Sequence, residues 1–330
     1  MNMSSRFAVA LVACCTMLAA TPVRAEFLFV TFVGEGSEQG EQIYFGLSTD
    51  GSHWTAPHGQ KPVLESEVGE RGARDPYLLR GENGRFYLLA TDLSIFRNHN
   101  WGRAVRDGSR SLLIWESTDL VRWERPRLTK VAPDDAGCTW APQAIYDQAS
   151  KRYLVYWAST TRRDEFAKHR IWGAWTEDFL AFSEPFIYIE NPTAVIDTDI
   201  VQGDDGKYYR FTKDEQYKAI TFETSDGVTG QWQAVPGFSL ARERGFEGPA
   251  CFTLKPRNAD SPAVWCLLLD AYARGTGYQP FVTANLGSGQ FTPGEGFSFP
   301  FRFRHGSVLP VSSEEYETLL RHLDGGEVAP

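Results

Sequence analysis

The sequence lacks a surplus of basic residues, and it lacks any long apolar run after its first 25 residues. Its 33 Lys and Arg are outnumbered by 42 Asp and Glu, for a net charge of -9 over 330 residues. Nucleic acid is therefore not an expected partner, since binding it depends on clustered Lys and Arg that neutralise phosphates. A membrane-spanning helix needs about 20 apolar residues in a row, so no membrane span is expected either.

Cysteine is also scarce, which argues against a fold held together by disulfides. Of the five cysteines, Cys14 and Cys15 lie near the N-terminus, which leaves Cys138, Cys251 and Cys266. An odd number does not suggest a disulfide framework. Cys251 and Cys266 fall in two consecutive predicted strands, where either a bridge or two buried thiols is compatible with the sequence.

The first 25 residues have the pattern of a signal peptide. Arg6 precedes an apolar run from Phe7 to Ala20, and Val23-Arg24-Ala25 supplies small residues where a signal peptidase cuts. We therefore expect a secreted or periplasmic protein whose mature chain begins near Glu26. The alternative is a lipid-attachment box at Leu11-Val12-Ala13-Cys14, although the apolar run continues past that cysteine.

Five short segments share one pattern: a hydroxyl residue, then Asp or Asn, then an aromatic residue shortly afterwards. The segments are STDGSHW, STDLVRW, TEDFLAF, TSDGVTGQW and TANLGSGQF, whose third residues are Asp50, Asp119, Asp178, Asp226 and Asn285. One such copy is ordinary turn chemistry. Five copies at comparable intervals indicate a repeat architecture that extends along the chain.

The stretches between these marks carry paired β-strand signals and no helical periodicity until the C-terminal end. There, Ser312 and Glu315 form a capping box before an apolar-periodic segment. Repeated units of several strands each are typical of a β-propeller. We predict an all-β, five-bladed β-propeller with a short C-terminal helix, formed by residues 26–330 as a single catalytic domain. The segment from Phe27 to Trp54 is expected to complete the last blade and close the ring.

One position at the start of each predicted blade stands out, because it lies at a similar distance after each repeat mark. The residues at this position are Asp75, Pro142, Asp197, Glu247 and His305. In a propeller the innermost strands converge on the central axis, so these five residues should meet at one mouth. Carboxylates crowded together alter each other's proton affinity. Glycoside hydrolysis uses such a group, with one carboxyl acting as acid and another as base or nucleophile.

The elements around these positions are Arg74-Asp75-Pro76, Trp140-Ala141-Pro142, Ile196-Asp197 followed by Asp205-Gly206-Lys207, Glu247-Gly248-Pro249 and His305-Gly306-Ser307. In this order, and over nearly all of the mature chain, they resemble glycoside hydrolase family 43. The resemblance implies that Asp75 is the general base and Glu247 the general acid, and that the reaction inverts the anomeric carbon. It also implies that Asp197 raises the proton affinity of Glu247 and holds it in place.

The same resemblance implies that the chemistry requires no cofactor, while His305 lies on the axis where family members hold a calcium ion through water. A single histidine is a poor ligand set for calcium, which prefers six to eight oxygens. The sequence departs from the family at Gln143, where many relatives carry an acid, and at Thr198, where proline is usual. The choice between Asp197 and Asp199 is therefore open; the spacing from Asp197 to Gly206 matches the family.

A sugar-binding site generally presents an aromatic face, and two tryptophans are candidates. Trp140 lies next to a blade start, and Trp101 lies in a long polar connection of the kind that carries binding residues. Arg304 precedes His305, and strand alternation is expected to turn it away from the axis.

The expected partner is an arabinose- or xylose-containing glycan, and the expected activity is exo-acting release of a terminal pentose, α-L-arabinofuranose in the first place. The resemblance also admits a β-D-xylosidase or a galactofuranosidase. A fructan hydrolase needs an earlier Asn-Asp-Pro nucleophile and a Glu-Cys acid, and neither is present in the sequence. A non-catalytic carbohydrate-binding propeller is the alternative from a different class.

Overall fold

The computed structural model describes residues 26–254 and 264–325. The segment assigned to a signal peptide, with Cys14 and Cys15, lies outside the described residues. In chain order the strands are β1 (Glu26–Thr31), β2 (Tyr44–Ser48), β3 (Ala73–Arg80), β4 (Phe86–Asp92), β5 (Ser111–Ser117), β6 (Arg127–Lys130), β7 (Trp140–Asp147), β8 (Arg152–Ser159), β9 (Arg170–Thr176), β10 (Phe186–Ile189), β11 (Val195–Gln202), β12 (Tyr208–Asp214), β13 (Ala219–Ser225), β14 (Gln233–Ala234), β15 (Glu247–Leu254), β16 (Val264–Asp270), β17 (Tyr278–Thr283), β18 (Thr292–Pro293) and β19 (Gly306–Val311).

These strands form five antiparallel sheets, which are the blades of the predicted propeller. The first four blades are β3 to β6, β7 to β10, β11 to β14 and β15 to β18, and the fifth contains β19, β1 and β2. The innermost strands are β3, β7, β11, β15 and β19, and each contacts the next, including β19 with β3. The ring is therefore closed, and the five-bladed architecture expected from the repeats is confirmed.

The fifth blade joins the two ends of the chain. Strand β1 pairs with β19 from Glu26↔Val311 to Thr31↔Gly306, and its other edge pairs with β2. This closure is the role predicted for the segment that precedes the first full unit. It leaves no open sheet edge between the first and last blades.

Apolar side chains pack between neighbouring blades, and strand alternation distributes them. Leu88 of β4 packs toward the fifth blade, while the adjacent Leu89 packs toward the second. In the same way Leu267 of β16 faces the third blade and Leu268 faces the fifth. Because both faces of these blades are buried, the second strands β4, β8 and β16 contain nearly continuous apolar runs rather than alternating ones.

The repeat marks are turns that follow the third strand of each blade. The last residue of each of these strands carries a hydroxyl that accepts a backbone N–H two residues later; these residues are Ser48, Ser117, Thr176, Ser225 and Thr283. In the fourth mark the hydroxyl in this position is Ser225 rather than Thr224. The repeated pattern is therefore turn chemistry that the architecture places once in every blade.

In the described part of the chain, three short helices lie in a connection between strands or after the last strand. α1 (Ile95–Asn98) and α2 (Trp101–Arg106) lie in the connection between β4 and β5. The C-terminal α3 (Ser313–Asp324) has the predicted capping box and packs Leu319 and Leu323 against the first and fifth blades. Single 3-10 turns are found at Gln39–Glu41, Arg162–Asp164, Tyr272–Arg274 and Leu286–Ser288. Within residues 26–254 and 264–325, no helix has the length and apolarity to cross a membrane.

The three cysteines in the described residues are free thiols. Cys138 and Cys266 are buried, and Cys251 is partly buried. Cys251 pairs across the sheet with Leu267, while Cys266 pairs with Phe252. Of the two alternatives left open by the sequence, the structure has thiols rather than a bridge.

Candidate active site

The mouth of the propeller is the face at which the innermost strands begin, and a β-bulge re-aims the chain there in four blades. The strand register slips at Arg74/Tyr77, Trp140/Gln143, Ile196/Thr198 and Glu247/Ala250. One residue in each bulge has a positive φ, namely Asp75 (50°), Ala141 (49°), Asp197 (50°) and Gly248 (53°). Left-handed backbone is uncommon outside glycine, and bulges beside active sites commonly re-aim a side chain.

The bulges show which residues are equivalent around the ring. Asp75 and Asp197 occupy the positive-φ position of the bulge in the first and third blades. The same position is occupied by Ala141 in the second blade and by Gly248 in the fourth. Pro142 and Glu247, which the sequence spacing selected, are each displaced by one residue. Glu247 consequently extends into the mouth from a different position than Asp75 and Asp197.

His305 links the two equivalent aspartates. Its Nδ1 lies 3.5 Å from Asp75 Oδ1 and 3.8 Å from Asp197 Oδ2, and its side chain is buried. A Cβ on Gly248 would lie 2.6 Å from the His305 ring, and the φ of +53° also favours glycine there. Residues from the first, third, fourth and fifth blades are thus brought together around one imidazole.

Thr91 fixes one oxygen of Asp75. The Thr91 hydroxyl donates to Asp75 Oδ2 at 2.9 Å and accepts the Ala141 backbone N–H at 2.8 Å. Because a hydroxyl has a single proton and the peptide N–H occupies a lone pair, the proton of Thr91 is directed at the carboxylate. Asp75 Oδ1 is left facing His305 and the mouth.

Asp197 is bonded to the backbone that carries Glu247. Its Oδ2 accepts the Gly248 N–H at 3.1 Å. Burial raises the pKa of Asp197 to about 6, with His305 and Lys213 opposing the increase and the neighbouring Glu247 and Asp75 adding to it. Asp197 therefore gains a proton at a higher pH than an exposed aspartate does.

Asp199 lies two residues further along β11 and has different surroundings. Its Oδ2 accepts the Cys251 N–H at 2.7 Å, and Gln143, with its amide oriented to satisfy its neighbours, donates to Oδ1 at 2.8 Å. Burial raises the pKa of Asp199 to about 7. Gln143, which departs from the family pattern, is thus a hydrogen-bonding partner of this buried carboxyl, while Asp197 is the aspartate beside His305 and Gly248.

Replacing Asp199 by Asn should raise the free energy of unfolding above that of the wild type at pH 8, and should change it little at pH 5. The folded pKa of about 7 exceeds the unfolded value of about 3.9, so wild-type stability falls as pH rises between these values. An amide retains an acceptor for the Cys251 N–H and does not ionise. We expect a gain of about 1 to 3 kcal/mol at pH 8 and little change at pH 5.

Urea unfolding of the wild type and the Asp199→Asn variant at both pH values measures this difference. Asp204→Asn is the matched control, because Asp204 lies in the exposed hairpin turn between β11 and β12. An equal effect of Asp199→Asn at pH 5 and pH 8 would contradict the assignment of a buried carboxyl that ionises unfavourably.

Glu247 is held between two cations. Its Oε2 accepts from Lys213 Nζ at 2.8 Å, and its Oε1 accepts from Arg304 Nη2 at 2.9 Å. Burial raises the pKa of this carboxyl, but Lys213 and Arg304 outweigh burial and leave the pKa below its usual value. The resemblance implied a raised proton affinity for Glu247; the two cations produce the opposite direction in the free protein.

The expectation for Arg304 was wrong. Besides Glu247, its guanidinium donates to Asp270 at 2.6 Å and lies 3.7 Å from Glu35, so it points into the mouth. Arg304 precedes β19 and is not part of a regular strand. Strand alternation therefore does not determine its direction.

Lys213 was missed by sequence reasoning, although a positional signal for it exists. The second strand of each blade runs toward the mouth, and in the first four blades a residue at or next to its end pairs with the residue just before the positive-φ residue of the bulge. The opposed pairs are Arg74↔Thr91, Trp140↔Ala158, Ile196↔Lys213 and Glu247↔Asp270. Thr91, Ala158, Lys213 and Asp270, at or next to the ends of the second strands, therefore lie at the mouth.

The two tryptophans predicted to bind substrate lie together at the rim. Their ring centroids are 6.1 Å apart in an edge-to-face arrangement, and Trp101 is 49% exposed. Trp101 also covers the guanidinium of Arg74, the residue before Asp75, at 5.2 Å. On its other side Trp140 contacts the His169 ring at 4.9 Å. The structure thus presents an aromatic surface next to the carboxylates.

A calcium ion beside His305, as the resemblance implies, would need oxygen donors from the surrounding residues or from water. No group of three or more His, Cys, Asp or Glu side chains within residues 26–254 and 264–325 is arranged to hold a metal ion. The Nδ1 atom of His305 faces the carboxylates of Asp75 and Asp197, at 3.5 and 3.8 Å. The calcium ion implied by the resemblance stays a prediction, and no chemical step is assigned to it.

Comparison with known proteins assigns a family to most of the chain. The model of a family related to glycoside hydrolase family 43, described as "Probable glycosyl hydrolase domain", matches residues 23–317. An α-L-arabinofuranosidase of Bifidobacterium longum subsp. longum is 29% identical over 304 residues, which cover 77% of this chain and 27% of that protein. The chain therefore spans about a quarter of the length of this relative.

Solved structures with a similar fold include a thermostable family-43 glycoside hydrolase, at 18% identity and a TM-score of 0.49, covering 73% of this chain and 78% of that one. An exo-β-1,3-galactanase from Phanerochaete chrysosporium in complex with galactose has 16% identity and a TM-score of 0.49. It covers 69% of this chain and 52% of that one.

Proposed function

The chain belongs to the glycoside hydrolase family related to family 43, and from this premise we propose that it is an exo-acting hydrolase that releases a terminal α-L-arabinofuranose from an oligosaccharide or polysaccharide. The observation that carries the proposal is the convergence of Asp75 and Glu247 on one mouth, where Asp75 lies 3.5 Å from His305 and Glu247 accepts from Arg304, the residue before it. The similarity to a protein named as an α-L-arabinofuranosidase supports the choice of sugar.

In the proposed reaction Asp75 is the general base and Glu247 the general acid. Asp75 removes a proton from water as the water attacks the anomeric carbon, and Glu247 gives its proton to the departing glycosidic oxygen. The proton lost by the acid is restored from solvent, and the proton taken by the base returns to solvent. Attack by water without a covalent intermediate inverts the anomeric carbon.

Asp197 is proposed to tune and position the acid. Its bond to the Gly248 N–H restrains the peptide next to Glu247. The negative charge of Glu247 contributes to the raised pKa of Asp197, and this electrostatic interaction is mutual. A negative charge on Asp197 favours the protonated form of Glu247, which is the form that the acid step requires.

Trp101 and Trp140 are proposed to form the sugar-binding surface at the rim. Sugar rings present C–H faces that pack on aromatic rings, and the half-exposed Trp101 offers such a face beside Asp75. The substrate is accordingly a glycan. Export of the protein to the periplasm or medium is proposed from the N-terminal segment alone.

Incubation with 4-nitrophenyl glycosides of α-L-arabinofuranose, β-D-xylopyranose, β-D-galactopyranose and galactofuranose tests the function. We expect turnover of the arabinofuranoside. Proton NMR of the first-formed product then reports its anomeric form, and a β-anomer is expected from inversion of the α-linkage.

Preferred turnover of another sugar would contradict the arabinofuranosidase assignment and leave a glycosidase of the same family. An α-anomer as first product would contradict inversion. Binding of arabino-oligosaccharides without any hydrolysis would instead indicate a carbohydrate-binding propeller.

A further inference from the structure

We propose that Lys213 is a positioning residue that holds the carboxylate of Glu247 and sets the upper pH limit of hydrolysis. This inference rests on the proposed function, in which Glu247 must be protonated to act as the acid. It assigns a role to a buried cation at the mouth that no part of the family resemblance identified.

The contacts of Lys213 are short and directed. Its ammonium lies 2.8 Å from Glu247 Oε2 and 2.6 Å from Glu215 Oε1, and it stands 4.3 Å from the centre of the Tyr272 ring. Its side chain is only 3% exposed. A lysine with two carboxylates and an aromatic face around it has little freedom to turn away, so its charge stays beside Glu247.

The fold itself does not require a cation at this position. The counterparts of Lys213 in the first, second and fourth blades are Thr91, Ala158 and Asp270. Ala158 shows that the second blade forms with a small apolar side chain at the position equivalent to Lys213. Because burying an ammonium is costly unless it is well paired, the presence of Lys213 is explained by its partner at the mouth rather than by blade packing.

Glu247 is surrounded by charges of both signs, and each of its two oxygens accepts from one cation, Lys213 at Oε2 and Arg304 at Oε1. The titratable and charged groups that face Glu247 or its partners are Lys213, Arg304, His305, Asp197, Asp270 and Glu215. Arg304 is shared with Asp270 and Glu35. Without Lys213, burial and the nearby carboxyls of Asp197 and Asp270 would favour the protonated form of Glu247.

The pH dependence of kcat/KM for wild type and Lys213→Met tests the role. The alkaline limb of this profile reports loss of the proton from the acid of the free enzyme. Removing the cation should raise the pKa of Glu247 and move this limb to higher pH, by about one unit or more. Lys213→Arg keeps the charge and should leave the limb close to its wild-type position.

Lys218→Met is the matched control, since Lys218 is half exposed and pairs with the same Glu215 without contacting Glu247 in the described structure. The alkaline limb of the kcat/KM profile of Lys218→Met should lie at the same pH as that of the wild type. Lys213→Gln removes the charge and retains a polar side chain, so it supplies the same answer if the methionine variant does not fold. An unmoved limb, or one shifted to lower pH, in the uncharged variants would overturn the proposal.

A titration that does not depend on turnover separates this inference from the proposed function. The ¹³C resonance of the Glu247 carboxyl, assigned by its loss in Glu247→Gln, should titrate at higher pH in Lys213→Met than in wild type. If the protein hydrolyses none of the glycosides, the proposed function fails while this titration still decides the effect of Lys213 on Glu247. An unchanged titration of Glu247 would refute the role assigned to Lys213.

Discussion

Asp75→Asn is expected to lower kcat for the preferred glycoside by about 10²- to 10⁴-fold, with a small change in stability. An amide cannot take the proton from the attacking water, which is the role proposed for the Asp75 carboxylate. The Thr91 hydroxyl that donates to Asp75 Oδ2 at 2.9 Å can donate equally to an amide oxygen, so the side chain should keep its position. Initial rates at saturating substrate and thermal unfolding of both proteins measure the two effects.

Asp178→Asn is the control for this prediction. Asp178 is an exposed repeat-mark residue whose carboxylate caps a turn far from the mouth, and an amide oxygen accepts the same backbone N–H groups. The control should retain wild-type kcat. Wild-type turnover by Asp75→Asn itself would remove Asp75 from the role of base.

Glu247→Gln should produce a loss that depends on the leaving group. For an unactivated arabino-oligosaccharide, whose departing oxygen needs a proton, we expect kcat to fall by about 10²- to 10⁴-fold. For a 2,4-dinitrophenyl glycoside, whose leaving group departs as a stable anion, the loss should be far smaller. The variant should fold, because Lys213 keeps Glu215 and Arg304 keeps Asp270 as partners.

The alkaline limb of the pH profile should also disappear in Glu247→Gln, since the titrating acid is gone. Glu223→Gln is the matched control: Glu223 pairs with Arg210 at 2.7 Å in the third blade, away from the mouth. The control should retain activity on both substrates. Equal losses for activated and unactivated glycosides in Glu247→Gln would show that Glu247 is not the proton donor.

Several parts of the fold were predictable because they depend on local chemistry that repeats. A hydroxyl at the end of each third strand forms the same turn five times, and this regularity identified five blades before any contact was known. The C-terminal helix followed from Ser312 and Glu315, whose side chains satisfy each other's backbone N–H groups. Both signals act within a few residues, so the sequence displays them directly.

The contacts within the site were less predictable, since they depend on how the strands are offset. Spacing selected Glu247 as the counterpart of Asp75, but the bulge places Gly248 in that position. Arg304 was expected to face away and instead binds Glu247. Lys213 was not selected by the spacing from the repeat marks, because its role comes from the register of β12 against β11.

By itself, the sequence determined the number of blades, the closing of the ring by the N-terminal strands and three of the carboxyl residues near the mouth, because turns and blade starts recur along the chain. Only the tertiary structure decided which charges surround each carboxyl. The pKa of Glu247 is lowered because Lys213 of the third blade and Arg304, which precedes the fifth, converge on it. Such convergence depends on strand register and on the rotation between blades. Neither can be derived from the spacing of residues along the chain.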